Sequence, residues 1–125
     1  MPGAMKADAQ RVRRHAVSPM TQLPIEGRRG PCPEWPFATV TLREHKCWRD
    51  LWESPQAVMW EKYGWEREVA FYARLSVEAE DGDMRALKEM LAVGDRLGRS
   101  PLAMMRLRWE LARDEVTERR GHEGR

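Results

Sequence analysis

Arginine is the residue type in this chain most open to a chemical role. Arg96, Arg99, Arg106 and Arg108 follow one another with no acid among them, around the turn Gly98-Arg99-Ser100-Pro101, while Glu78, Glu80, Asp81 and Asp83 form an acidic cluster just before. Phosphate binding needs only accessible positive charge, so this stretch is a candidate for contact with a DNA backbone. A comparable candidate lies near the N-terminus, where Arg11, Arg13 and Arg14 are followed by Arg28 and Arg29. The competing reading of the first set is ion pairing with Glu110 or Asp114, or with acids of a neighbouring subunit. Arg99 in a turn between two capped helices would also suit helix-turn-helix contact, a motif whose spacing is usually tighter.

Other chemistries find little support. Gly94-Asp95-Arg96-Leu97-Gly98-Arg99-Ser100 resembles a phosphate-binding loop only on the surface. Such a loop needs four residues between its glycines, a lysine for the phosphates and a preceding strand. His15, Cys32, His45, Cys47 and His122 are the soft metal ligands, and the paired spacings of a zinc site are missing. Ser54 and Ser100 are better placed as helix caps than as nucleophiles, and carboxylates interleaved with arginines on helices form solvated faces. The expectation is therefore no catalytic residue, no metal and no cofactor, hence no enzyme.

Tryptophan is the other abundant type, with six in 125 residues. Trp48, Trp52, Trp65 and Trp109 fall at helical spacing, which assigns them to a core or a subunit contact before a base-stacking platform.

These residues need elements to hold them. Residues 1–40, rich in proline and glycine and without periodicity, read as a mostly disordered basic arm, with Trp35 and Phe37 able to pin its end onto a helical body. Residues 41–117 read as that body. Thr41-Leu42-Arg43-Glu44 has the form of a capping box and opens a helix to about residue 53. Ser54-Pro55 ends it and starts a short helix over about residues 55–62, with Gly64 as a left-handed stop. Val69, Tyr72, Ala73 and Val77 trace one stripe of a third helix. Asp83 caps a fourth, whose inward positions are Met84, Leu87, Leu91 and Leu97, and Gly98 closes it. Ser100-Pro101 starts a fifth with Leu102, Met105, Trp109, Ala112 and Val116 inward. Residues 118–125 form a charged tail. No strand pattern is visible. The fold class is all-α, a compact bundle of four to five short helices.

Composition sets outer bounds. Charged residues make up 34% and the apolar set 42%, which suits one soluble helical domain. No apolar run reaches membrane-spanning length and no secretory signal opens the chain, so a cytoplasmic location without membrane contact is expected. The formal charge of +2 argues against a protein that coats nucleic acid over its whole surface.

Taken in order, Trp48-Arg49-Asp50-Leu51-Trp52-Glu53-Ser54-Pro55-Gln56-Ala57, Trp60, Gly64-Trp65-Glu66-Arg67, Asp95-Arg96-Leu97-Gly98-Arg99-Ser100-Pro101-Leu102-Ala103-Met104 and Arg106-Leu107-Arg108-Trp109-Glu110 resemble the small terminase subunits of actinobacterial tailed phages and prophages. The resemblance covers about residues 35–112. It implies a packaging accessory that assembles into a ring-like homo-oligomer, recognises viral double-stranded DNA in the host bacterial cytoplasm and delivers it to a large subunit holding the ATPase and nuclease. It carries over no catalytic or base-reading residue. Arg99 stands where the family's Leu-Gly-Leu-Ser/Thr-Pro turn has an aliphatic side chain. A helix-turn-helix regulator and a structural head or connector protein are the alternatives, separable by mass in solution and by DNA binding.

Overall fold

The computed structural model describes residues 19–112. Expectations for Arg11, Arg13, Arg14, Asp114, Val116 and the tail 118–125 lie outside the described residues. Within them the chain forms β1 (Thr21–Leu23), α1 (Leu42–Trp52), α2 (Ala57–Tyr63), α3 (Glu66–Glu80), α4 (Met84–Arg96), α5 (Pro101–Leu107) and β2 (Trp109–Leu111). The body is mostly helical, with α3 at its centre and α1 and α4 packed against it.

The helix ends follow local chemistry. Thr41 accepts from the Glu44 amide at 3.1 Å and Glu44 accepts from the Thr41 amide at 2.8 Å, completing the capping box of α1. Asp83 caps α4, Ser100 caps α5 with Pro101 at its first position, and Gly64 ends α2 in the left-handed region at φ 70°. One expected cap is absent. The Ser54 hydroxyl donates to the Leu51 carbonyl at 2.6 Å, closing α1, so α2 starts two residues later after Gln56. The Gln56 amide turns inward instead and donates to the Gly98 carbonyl at 3.0 Å.

The core is a run of indoles. Trp48, Trp52 and Trp60 are fully buried and meet edge to face, with centroids 5.4 and 5.8 Å apart, and Trp35 adds a further edge contact to Trp48 at 5.4 Å. Leu51, Met59, Val69, Ala70, Ala73 and Leu97 fill the space around them. Three indole N–H groups donate to loop carbonyls: Trp35 to Thr39 at 2.9 Å, Trp48 to Pro33 at 2.8 Å and Trp60 to Leu97 at 2.8 Å. Among the described residues, only the Trp52 indole N–H is a buried side-chain polar atom without a partner; the Arg28 guanidinium lies 5.5 Å from its ring centroid.

Three sequence expectations are corrected. Residues 19–40, expected within a disordered arm, run as an ordered strap over the body: Leu23 is fully buried, and Gly27 passes so close to the Glu53 carbonyl that a β-carbon would lie 1.9 Å from its oxygen. The prolines there restrict the chain to a course that seats a few apolar side chains, so composition was a poor guide. The all-α expectation fails at one point, since β1 and β2 pair in parallel, Thr21 opposite Trp109 and Leu23 opposite Leu111. The fifth helix is also shorter than expected. It stops at Leu107 because Arg108 takes a left-handed conformation, φ 61°, which turns the chain and drops Trp109 onto Gly98. As a result Leu102 and Met105, expected inward, are exposed, as are Met84 and Leu91 of α4.

Arg74 clasps the strap to α1 and α3. Its guanidinium donates to Glu44 at 2.6 Å and to the Thr39 carbonyl at 2.8 Å, and stands 5.4 and 5.3 Å from the ring centroids of Trp35 and Phe37. The bond from Arg74, helped by the Thr41 amide, outweighs burial and holds the Glu44 carboxyl below the usual glutamate range. A depressed folded value means that the contribution of Glu44 is complete above the ordinary glutamate pKa and is lost as pH falls through the folded one. The stability gap between the wild type and Glu44→Gln, followed by denaturant unfolding, is therefore expected to be widest near neutral pH and to narrow below the glutamate range; a pH-independent gap would refute this. Trp48→Ala, measured the same way, is expected to cost about 3–5 kcal/mol.

Candidate nucleic-acid interface

The four arginines between residues 96 and 108 do not form one patch. Arg96 lines a groove of about 810 Å³ whose walls include Trp65, Phe71, Leu75, Val93 and Leu107. Arg99 lines a different groove, of about 620 Å³, between α1, α3 and α4, and its guanidinium lies 6.0 Å from the Tyr72 ring centroid. The grooves use α4 residues six apart in sequence, Leu87 and Met90 against Val93 and Arg96, which places them about 120° apart around the helix axis. Arg106 and Arg108 are exposed at the end of α5. Of the pairing acids considered from sequence, Glu110 accepts instead from the Gln22 amide across the strands.

The strand pairing fixes the point beside Arg108 from which the chain before Thr21 extends. The Thr21 amide donates to the Arg108 carbonyl at 2.7 Å, so residues 1–20 enter the fold beside Arg108 and Arg106. Arg14 is seven residues from Thr21, within roughly 25 Å of that anchor even for an extended chain. Charge follows the same division. Residues 19–112 carry 14 Lys and Arg against 15 Asp and Glu, a net −1, while residues 1–18 carry four against one. The positive excess of the chain thus sits in the segment rooted at Arg108.

The second groove is charged but internally paired. Arg43 bonds Asp81 at 2.7 Å and Glu80 at 3.1 Å, which raises its pKa further above the ordinary arginine value, and Lys46 bonds Asp50 at 3.0 Å. Burial pushes the Cys47 thiol in that groove up, and the Cys32 thiol likewise, so neither is poised as a thiolate. No cluster of three or more His, Cys, Asp or Glu able to hold a metal occurs among the described residues, and no helix there is long and apolar enough to cross a membrane. Trp48, Trp52 and Trp109 are closed off from solvent, while Trp65 is half-buried against Trp109, with ring centroids 6.3 Å apart. The outer face of α5 presents Leu102 and Met105 beside Arg106, more apolar than a helix that reads base edges.

Sequence reasoning missed Leu23, the residue that anchors β1 in the core, because the four residues between Pro19 and Pro24 are too few to show alternation. It also missed the inward Gln56 and the Arg74 clasp, both of which depend on partners 30 or more residues away.

What these observations outline is a small, mostly helical body with a basic terminal segment anchored to it by strand pairing. The chain matches the family described as phage terminase small subunit over residues 1–124, and it belongs to that family. The match takes in the first 34 residues, to which the sequence resemblance did not extend. Comparisons with curated proteins and with solved structures gave no match.

Since Leu23 alone seats β1 in the core, Leu23→Ala is expected to cost about 2–5 kcal/mol in denaturant unfolding. A cost below about 1 kcal/mol would show that the strand is held mainly by its backbone bonds.

Proposed function

We propose that this protein binds viral double-stranded DNA and presents it to a large terminase subunit during genome packaging in the host bacterial cytoplasm, as a ring-like homo-oligomer of the kind found in actinobacterial tailed phages and prophages. Membership of the small-subunit family supports the role. The observation that carries the DNA contact is the bond from Thr21 to Arg108, which roots the segment containing Arg11, Arg13 and Arg14 beside Arg106 and Arg108. Together these form a basic region on an otherwise balanced molecule, suited to phosphate contact rather than base reading. Arg99, exposed at the turn before α5, offers a separate phosphate contact in this reading. Arg96 faces a separate apolar groove and is assigned below to another contact. The protein contributes no catalysis in this reading; the chemistry belongs to the large subunit.

Two variants test the proposal, Arg106→Ala/Arg108→Ala and Arg11→Ala/Arg13→Ala/Arg14→Ala. Each is expected to weaken binding to unrelated duplexes alike and to flatten the salt dependence by roughly 0.9 per lost phosphate contact. Titration at several salt concentrations, with the mass of the protein followed in parallel, reads both effects. Unchanged affinity and slope in both variants would defeat the proposal. A chain that binds DNA while remaining a monomer or dimer would instead favour a helix-turn-helix regulator.

A further inference from the structure

Besides the outer face of α5, two apolar surfaces of the body lack a partner among the described residues, and they lie on different sides of α4. One is the groove lined by Trp65, Phe71, Leu75 and Val93, with Glu68 and Glu78 on its α3 lip and Arg96 on its α4 lip. The other is a ridge. Met84 and Leu91 are 69% and 58% exposed and stand two turns apart on one stripe of α4, with Lys88 between them and Asp95 alongside. At 3.6 residues per turn, Leu91 projects about 140–160° around the axis from Arg96 and Val93.

The occupant of the groove can be narrowed from the chain itself. Residues 1–18 and 113–125 contain no Leu, Ile, Phe, Tyr or Trp; their larger apolar side chains are Met1, Met5, Val12, Val17 and Val116, and no two of these stand seven apart with a lysine four residues after the first, as Met84, Lys88 and Leu91 do. The ridge supplies that arrangement, and its charges are complementary. The lips of the groove carry Glu68, Glu78 and Arg96; the ridge carries Lys88 and Asp95. None of these five joins an ion pair within the described residues, whereas Arg28, Arg43, Lys46 and Arg74 all do.

We infer that the Met84–Leu91 ridge of one copy seats in the Trp65–Phe71–Leu75 groove of the next copy. Leu91 and Met84 enter the groove, Lys88 faces the Glu68–Glu78 lip, and Asp95 faces Arg96. Ridge and groove point to different sides, so two copies cannot satisfy both surfaces in each other; each copy engages two neighbours, and the contact is heterologous. Closed rotational symmetry is the finite assembly such a contact allows. The inference rests on the self-assembly part of the proposed function and names the surfaces responsible.

Full-length chains test it by light scattering or native mass measurement. Leu91→Asp removes the ridge, and Glu68→Lys/Glu78→Lys reverses the lip of the groove; both changes are at exposed positions, and circular dichroism verifies the fold. Each variant alone is expected to fall to monomer where the wild type assembles. A one-to-one mixture is expected to recover a two-chain species and stop there, because one ridge and one groove survive between the partners. Variants that assemble like the wild type, or a mixture that stays monomeric or regains full size, would overturn the inference while leaving assembly itself intact. A wild type that is monomeric at every concentration would remove the assembly and this interface together.

Discussion

Burying an indole is costly unless its N–H finds an acceptor, and Trp35, Trp48 and Trp60 meet that requirement, with Trp52 the exception; no other constraint shapes this small protein more. The helices cannot supply the acceptors, because their carbonyls are already committed to their own ladders. Loops must supply them. Pro33, Thr39 and Leu97 each give a carbonyl to a tryptophan, Pro33 and Thr39 from the strap before α1 and Leu97 from the end of α4. The strap over residues 33–39 and the turn between α4 and α5 therefore hold their courses because the indoles beneath them need partners. The Arg74 clasp reinforces the same strap from outside, where its guanidinium replaces water over two aromatic faces.

Pinning the loops in this way determines which surfaces are left over. With the tryptophans turned inward, the core takes only some of the aliphatic side chains of α4 and α5, Val93 and Leu107 among them, and Met84, Leu91, Leu102 and Met105 face outward. A body of this size has too little interior for every apolar residue its helices present. The left-handed turn at Arg108 belongs to the same economy of space. It ends α5 early and sends Trp109 back under Gly98, where the absence of a side chain leaves room for the ring.

Much of the helical framework was legible because it is local. The Thr41–Glu44 box, the Asp83 and Ser100 caps, and the stops at Gly64 and Gly98 each involve residues within one turn of one another. What escaped was long-range. β1 and β2 are three residues each and pair across 88 positions of chain, so no periodicity announces them. Ser54 had two hydroxyl partners within reach, and spacing alone does not choose between closing one helix and opening the next. The arginine stretch was visible as charge, but its division was not. Arg96 ends a helix and Arg99 follows its cap, and only the three-dimensional phase of α4 shows that they face different grooves.

The parallel sense of the two strands has a mechanical consequence. Residues preceding Thr21 leave one end of the pair, beside Arg108, and residues following Leu111 leave the other, beside Leu23. Tension applied between the two chain ends runs along the strands and loads all their cross-links at once in shear. An antiparallel pair anchored at the same end would open one bond at a time, like a zipper. So small a sheet adds little to resting stability, yet it is oriented to resist sliding apart under load.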